Sequence, residues 1–530
     1  MNALRKKKLG LSGLQLLLIS FFLISVLLPL IRMLINMTSA NFSAIVTSNR
    51  FAGALRNSLA ISVTATLISV ALALALSWCV IRTRIRFKGF WCLLFTLPML
   101  IPSISHGMGL LVLFGSNGIL TRFLQLGADI YGFWGVVAGS VLYSFPIAFL
   151  MISDVLRYED SSPYEAASVL GISRARQFTS ISLPYLRKPL ISVFFSVFTL
   201  IVTDYGVPLM VGNTDTLTLP VMMYQDVIQG MDFGKGSVIG LVLLIPAVIA
   251  FLIDLFNKDN GNTAFVLKPF DSKRGRLRDV LSTVFCAMVG VFVLLPIISF
   301  VILTFVRKYP VDLSVTFDHI IRAMGMGAGQ YLWNSLLISL LVAVLGVTIS
   351  GVVAYLTTRV KTRTSHFLHL ISIASLAIPG LVLGLSYALL FKGTAIYNTL
   401  AILIMVNLVH FFASPYLMMY NSFHKINENI EVVGATLGVS RMRIIFDVLI
   451  PQAKTTIVEM FTYFFVNSMM TISAVSFLAT SATRPLALMI PNFEDTMMRE
   501  SMAFVSLLIL AVNLLLRAAA NLYKKHAAAR

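Results

Sequence analysis

Charge is scarce in this chain. Asp, Glu, Lys and Arg together make up 12% of its 530 residues, about half the share of an ordinary soluble protein, and so little polar surface excludes a large soluble domain. Cysteine is rarer still: Cys79, Cys92 and Cys286 are the three copies, all in or beside apolar stretches. Their odd number and scatter exclude a closed disulfide framework and indicate no metal site. Acid is the scarcer sign, with 22 Asp and Glu against 41 Lys and Arg. A balance of +19 in a soluble chain would suggest nucleic acid or anionic lipid. In a polytopic chain the basic residues collect in cytoplasmic loops, so membrane lipid is an expected partner and nucleic acid is not. What the chain has in excess is apolar: 58% hydrophobic residues and a mean hydropathy of +0.89. Since a helix crosses a bilayer with about 20 such residues, the fold class is all-α integral membrane protein.

Apolar stretches fall near 14–35, 58–81, 90–114, 131–153, 189–211, 236–256, 280–306, 334–357, 367–391, 395–421, 455–479 and 501–522, twelve candidate helices. The first follows Arg5, Lys6, Lys7 and Lys8; it is too long for a signal h-region and lacks a small-residue cleavage site, which predicts an uncleaved span. With the N-terminus inside, alternation places 30 of the 41 basic residues on the cytoplasmic side, among them Lys268, Lys273, Arg274, Arg276 and Arg278. That excess predicts that both termini are cytoplasmic.

The halves repeat. Leu27-Leu28-Pro29 matches Leu294-Leu295-Pro296 at an offset of 267, and Asn57-Ser58-Leu59 matches Asn334-Ser335-Leu336 at 277. The larger offset persists through Arg82 with Arg359, Pro102 with Pro379 and Phe114 with Phe391. It then returns to 267 for Leu170-Gly171 with Leu437-Gly438, Ser173-Arg174 with Ser440-Arg441, and Pro184 with Pro451. Six spans per half is an even number, so the halves enter the membrane in the same sense, as a parallel repeat. The polar stretch 257–279 reads as a cytoplasmic linker between them.

The loop between the fourth and fifth spans reads Glu165-Ala166-Ala167-Ser168-Val169-Leu170-Gly171, followed by Ile181-Ser182-Leu183-Pro184. Ser162-Pro163 opens a short helix, Gly171 stops it, and a second helix begins near Ser173, so the loop is helix, sharp turn, helix. The second half carries Glu431-Val432-Val433-Gly434-Ala435-Thr436-Leu437-Gly438 and then Val448-Leu449-Ile450-Pro451. Glycine and proline keep their spacing, but Val432 stands where Glu165 would be and the acid, Glu431, is one place early.

The pattern E-A-A-x3-G-x9-I-x-L-P resembles the signature loop of permease subunits of binding-protein-dependent ABC importers of the type I architecture. The resemblance implies that these loops couple to ATPase subunits, through Glu165, Ala166, Ala167, Gly171, Ile181, Leu183 and Pro184 in one half and Glu431, Gly434, Gly438 and Pro451 in the other. It implies a unit over 53–256 and a second over 332–530, preceded by a span and outer loop at 1–52 and 280–331. It further implies two copies of a cytoplasmic ATPase, an extracytoplasmic solute-binding protein, a bacterial cytoplasmic membrane, and no catalysis by this chain, with ATP held by the partner subunits. Because Glu165 has no aligned acid, the two loops are expected to be unequal, with Glu165 mattering more than Glu431. Thr203-Asp204-Tyr205-Gly206-Val207-Pro208 resembles the ferric iron and 2-aminoethylphosphonate branches of the fused permeases, a group that also includes thiamine permeases. Asn467 to Val475 is more similar to the aminoethylphosphonate branch, which tips the cargo expectation slightly toward the phosphonate.

Other signals lead elsewhere. Gly230 to Gly236 fails the spacing of a phosphate loop, so no nucleotide site is expected on this chain. His366 and His369 lack a third ligand, and Met469, Met470, Met497 and Met498 read as packing. An acid within a span is costly, which singles out Asp204 while Glu459 and Asp254 lie nearer span ends. With Tyr205, and with Asn467, Thr471 and Ser473 from the other half, Asp204 is a candidate lining of the translocation path; a hydrogen bond closing the helix end is the other reading. The rival class, an ion-coupled secondary transporter with two parallel halves, would need a relay of intramembrane acids and has no use for the Glu165–Pro184 loop.

Overall fold

The computed structural model describes residues 13–125, 129–257, 275–360, 362–427 and 429–529. Most of the 257–279 linker and the Arg5 to Lys8 cluster lie outside them. Apart from a two-stranded antiparallel ribbon, Val306–Lys308 with Asp312–Val315, the regular elements are helices. Among the described residues nine helices are long and apolar enough to cross a membrane. Eleven spans result if two bent pairs, Arg363–Ala377 with Gly380–Phe391 and Leu400–His410 with Ala413–His424, each count as one. The expected count of twelve is not confirmed. The candidate at 455–479 is helical over Lys454–Met470, 17 residues, short of the ~20 a crossing needs, because the backbone turns extended at Thr471.

The spans are apolar on the outside and carry small hydroxyl residues among the apolar ones within. On Asn49–Arg82, Val63, Leu67 and Ile68 are exposed, whereas Ser62, Thr66, Ser69 and Ser77 are buried. Small hydroxyl residues let backbones approach and supply hydrogen bonds where lipid offers none. Ser69 and Ser144 meet at 2.8 Å, Ser153 donates to Ser77 at 2.9 Å, and Ser77 donates to the Phe149 carbonyl at 3.1 Å. These contacts fasten Asn49–Arg82 to Phe133–Arg157. The exposed stripe recurs in Ala328–Arg359 as Leu340, Val344 and Leu345.

Structure repeats where sequence does. Lys88–Leu100 and Ser103–Phe114 meet at Pro102, as Arg363–Ala377 and Gly380–Phe391 meet at Pro379. A widened turn at Phe178–Ser182 has its counterpart at Ile445–Leu449. Asn57 donates to the carbonyls of Asp215 and Leu217, and Asn334 to those of Ala482 and Arg484; Ser58 accepts from the Leu219 amide at 2.8 Å and Ser335 from that of Leu486 at 2.7 Å. The ten-residue difference between the offsets is now located. The second half gains the ribbon and helix Asp318–Gly325 between its first two spans, and the first half has the longer connection between Phe114 and Phe133.

Each half's first helix packs on the other half. From Gly13–Asn36, Gln15 donates to Ser365 at 2.8 Å, the Ser25 carbonyl accepts the Tyr387 hydroxyl at 2.7 Å, and Phe22 lies edge-on to Phe412. In return, Arg276–Phe305 lies on Ser103–Phe114 so closely that a Cβ on Gly109 would stand 2.6 Å from Pro296. The last helix, Arg499–Ala529, adds Asn513 donating to the Leu100 carbonyl at 2.9 Å and Ser506 meeting Ser105. The halves are interlocked rather than juxtaposed.

Candidate functional site

Both expected coupling loops are short helices with mostly exposed residues. The first, Ser162–Val169, starts where Asp160 accepts the Ser162 amide at 3.1 Å; the second, Asn429–Thr436, starts where Asn427 accepts the Asn429 amide at 2.9 Å. Each ends on a left-handed glycine, Gly171 at φ 73° and Gly438 at φ 72°. The next amide bonds back, Ile172 to the Ala167 carbonyl at 2.9 Å and Val439 to that of Gly434 at 2.8 Å. This is a Schellman closure, which only a residue tolerant of positive φ completes without strain. Ser173 and Ser440 then cap the following helices.

The helices present an apolar tip. Val169 is 88% exposed, Leu170 76% and Leu437 74%, and Val432 and Val433 are exposed beside it. The motif had drawn attention to other residues. Glu165 and Ala166 are exposed and Ala167 is buried, and Ser161 donates to the Glu165 carboxylate at 3.4 Å. Ile181 is half-buried, Leu183 and Pro184 are exposed where the next helix begins, and Pro451 is exposed at the matching place. Gly434 holds the position of Ala167 because the Ile444 side chain fills the space a Cβ there would need, at 2.4 Å.

Glu431 faces inward. At the 267 offset it aligns with Tyr164, and its carboxylate lies 3.8 Å from Nε of Arg359, whose side chain is 2% exposed. The same guanidinium donates to the carbonyls of Phe423 and Ile426, both at 2.9 Å. In the first half the equivalent Arg82, also 2% exposed, is paired with Glu159. Tyr164 donates to Glu159, meets Ser182 at 2.7 Å and places its ring 5.5 Å from the Arg82 guanidinium. Burial raises the pKa of the Tyr164 hydroxyl.

The candidate path residues divide. Asp204 caps the short helix Gly206–Val211, accepting from the Val207 amide at 3.0 Å and bonding Ser103. Tyr205 is fully buried, stacked on Tyr224 at 4.9 Å, with its hydroxyl 2.7 Å from Ser476 of the other half; its ring packs and does not line a space. Asn467 donates to the Tyr463 carbonyl of its own helix at 2.8 Å and accepts at its carbonyl from the Thr471 amide. Ser473 lies against Gly380 and His410, where a Cβ on Gly380 would stand 2.3 Å from the serine oxygen. In the first half the contact is reversed, Ser103 against Gly206. Sequence reading passed over Tyr143, His410, Ser414 and Tyr463. Tyr143 lies near Asp204 and near Tyr463 of the opposite half, and Tyr463 bonds Ser414. Asp204, Tyr143, His410, Ser414, Tyr463, Asn467, Thr471 and Ser473 are deep in the bundle yet each is only partly buried. The signal for the missed pair was that Tyr143 and His410 are one offset, 267, apart.

The chain is a repeated helical half, with a broken third span and a capped loop helix in each copy. Residues 65–258 and 346–527 match the family described as binding-protein-dependent transport system inner membrane component, and the chain belongs to that family. It is a multi-pass inner-membrane permease subunit of an ABC importer, works with a solute-binding protein, and is similar to transport subunits rather than enzymes. Similar proteins include the ferric transport system permease protein FbpB of Actinobacillus pleuropneumoniae, 25% identical over 476 residues, 86% of this chain and 69% of the relative. The putative ferric transport system permease protein FbpB 1 of Haemophilus influenzae is 24% identical over 459 residues, 83% and 72% of the two chains. The molybdenum transport system permease protein ModB of Azotobacter vinelandii is 28% identical over 207 residues, 38% of this chain and 91% of the relative.

Proposed function

We propose that this permease carries ferric iron, delivered by a solute-binding protein, and that two copies of a separate ATPase drive it through the loop helices Ser162–Val169 and Asn429–Thr436. The observation that carries the cargo is coverage. The relatives matched across both halves named above are ferric permeases, whereas the molybdenum permease matches over 38% of the chain, less than one half. The deep polar cluster fits a passing ion. Asp204 and the phenol oxygens of Tyr143 and Tyr463 are hard oxygen donors, and a single acid among neutral groups suits transfer better than retention. The phosphonate expected from residues 467–475 has support from that short run alone.

The loops support the drive. The exposed tips Val169, Leu170 and Leu437 are apolar surface of the kind that marks a docking site, present twice, once per half. ATP is held by the partner subunits and none by this chain. The 30 basic residues that alternation assigns to the loop face support a cytoplasmic side for that face and for both termini.

Uptake of labelled ferric iron and of labelled 2-aminoethylphosphonate, compared in cells with and without the permease, tests the cargo. Iron uptake should depend on it. Phosphonate uptake alone depending on it would replace the cargo, and dependence of neither would remove both. Orientation is tested by labelling a cysteine at position 268 in a chain lacking Cys79, Cys92 and Cys286; a membrane-impermeant reagent should fail to reach it in intact cells.

A further inference from the structure

We propose that Arg82 and Arg359 are positioning residues that lock each coupling helix to the ends of its own membrane helices, and that the two halves close this lock with acids from different places. The proposal rests on the reading of the loop helices as ATPase docking elements.

The two arginines occupy one repeat position, the last turn of the second helix in each half. Both guanidiniums are almost completely buried. A buried guanidinium persists only when a carboxylate and further hydrogen-bond acceptors surround it, so what surrounds these two is held tightly. In the first half the acid is Glu159, which lies before the coupling helix and is 4% exposed. Its carboxylate also takes the hydroxyl of Tyr164, from the first turn of that helix, and Tyr164 reaches Ser182 in the next helix. One cation thereby gathers the segments on both sides of the turn. In the second half Ile426 stands at the place of Glu159 and Glu431 at the place of Tyr164. The acid is now inside the coupling helix. The backbone carbonyls of Phe423 and Ile426 both accept from Nη2 of Arg359, while its Nε faces Glu431 at ion-pair distance.

The consequence is mechanical. A push on either coupling helix moves the ends of the second and fourth spans with it, because the alternative is to strip a buried cation of its partners. The different wiring makes the second lock depend on one side chain, Glu431, and the first on a Glu159 and Tyr164 pair.

The test uses the whole permease co-purified with its ATPase, with the three native cysteines replaced by serine and spin labels at Ala435→Cys and Lys425→Cys. Both label sites are exposed. Wild type should give one narrow distance that trapping with ATP and vanadate leaves unchanged. Arg359→Gln should broaden it and add a second distance on trapping, with the ATPase still bound. The double substitution Ile426→Glu with Glu431→Tyr copies the first half's set and should narrow the distance again relative to Glu431→Tyr alone. An Arg359→Gln complex with the wild-type distance would overturn the proposal, and so would a double variant no narrower than Glu431→Tyr. If Arg359→Gln does not accumulate, the double variant decides. If the wild-type permease retains no ATPase, the docking reading itself falls, a result distinct from either.

Discussion

Glu165 and Glu431 show how far one side chain's neighbours outweigh its place in a motif. By alignment, Glu165 is the matched acid and Glu431 the displaced one. In space Glu165 is exposed, with Ser161 donating to it, while Glu431 is 18% exposed and faces a guanidinium that is 2% exposed. Removing one partner of a buried pair costs roughly 3–5 kcal/mol, a figure the partial exposure of Glu431 reduces, whereas an exposed acid contributes about 1 kcal/mol or less. For stability, as distinct from uptake, Glu431 is therefore expected to matter more than Glu165. Glu431→Ala should lower the thermal stability of the purified permease measurably and Glu165→Ala should not, as thermal unfolding followed by size-exclusion recovery would record. Equal losses would mean that Arg359 finds other acceptors. That Val432 stands in the place of Glu165 was legible in the sequence, but the pairing of Glu431 with Arg359 was not, because the two are brought together by the fold and belong to no common motif.

At the scale of elements, the coupling helices owe their shape to their closing turns. Gly171 and Gly438 have φ of 73° and 72°, and forcing an L residue into that region costs about 1–2 kcal/mol. Alanine at either position should weaken uptake moderately and leave the permease in the membrane. Proline at position 171 is a different change: its ring holds φ near −65°, and it deletes the amide that bonds the Ser168 carbonyl at 3.2 Å. The expected outcome for Gly171→Pro is loss of uptake with normal membrane abundance on an immunoblot, and disappearance from the membrane would place the defect in folding instead. These turns were readable in advance, since glycine, serine cap and proline keep their spacing in both halves. The breaks at Pro102 and Pro379 were not, because an apolar run on either side of a proline looks like one span whether or not it bends. Tyr143 and His410 escaped for a related reason: a polar aromatic in mid-span carries no spacing rule, and only its contacts tell a lining group from a packed one.

The molecule as a whole is a duplicated unit in which each copy's first helix packs both on its own last helix and on the other copy's broken third span. Sequence offsets revealed the duplication, yet they could not reveal the cross-packing, since identical internal spacing is compatible with each first helix packing on its own half alone. The contacts decide it. Gly13–Asn36 meets the second half through Gln15, Ser25 and Phe22, and Arg276–Phe305 meets the first through Pro296. An isolated half would expose the face of its broken third span that the other half's first helix covers, and its own first helix would keep only the seat that its own last helix supplies. Helices in lipid associate by close packing and hydrogen bonds, so these bonds would be lost without replacement. Cutting the chain between residues 258 and 274 should then leave two fragments that co-purify when expressed together. Either fragment expressed alone should be degraded or aggregate, because the bond from Gln15 to Ser365 and that from Asn513 to Leu100 each need both. A fragment comprising residues 275–530 that remains monomeric and protease-resistant in detergent by itself would show that the cross-packing adds nothing to its stability.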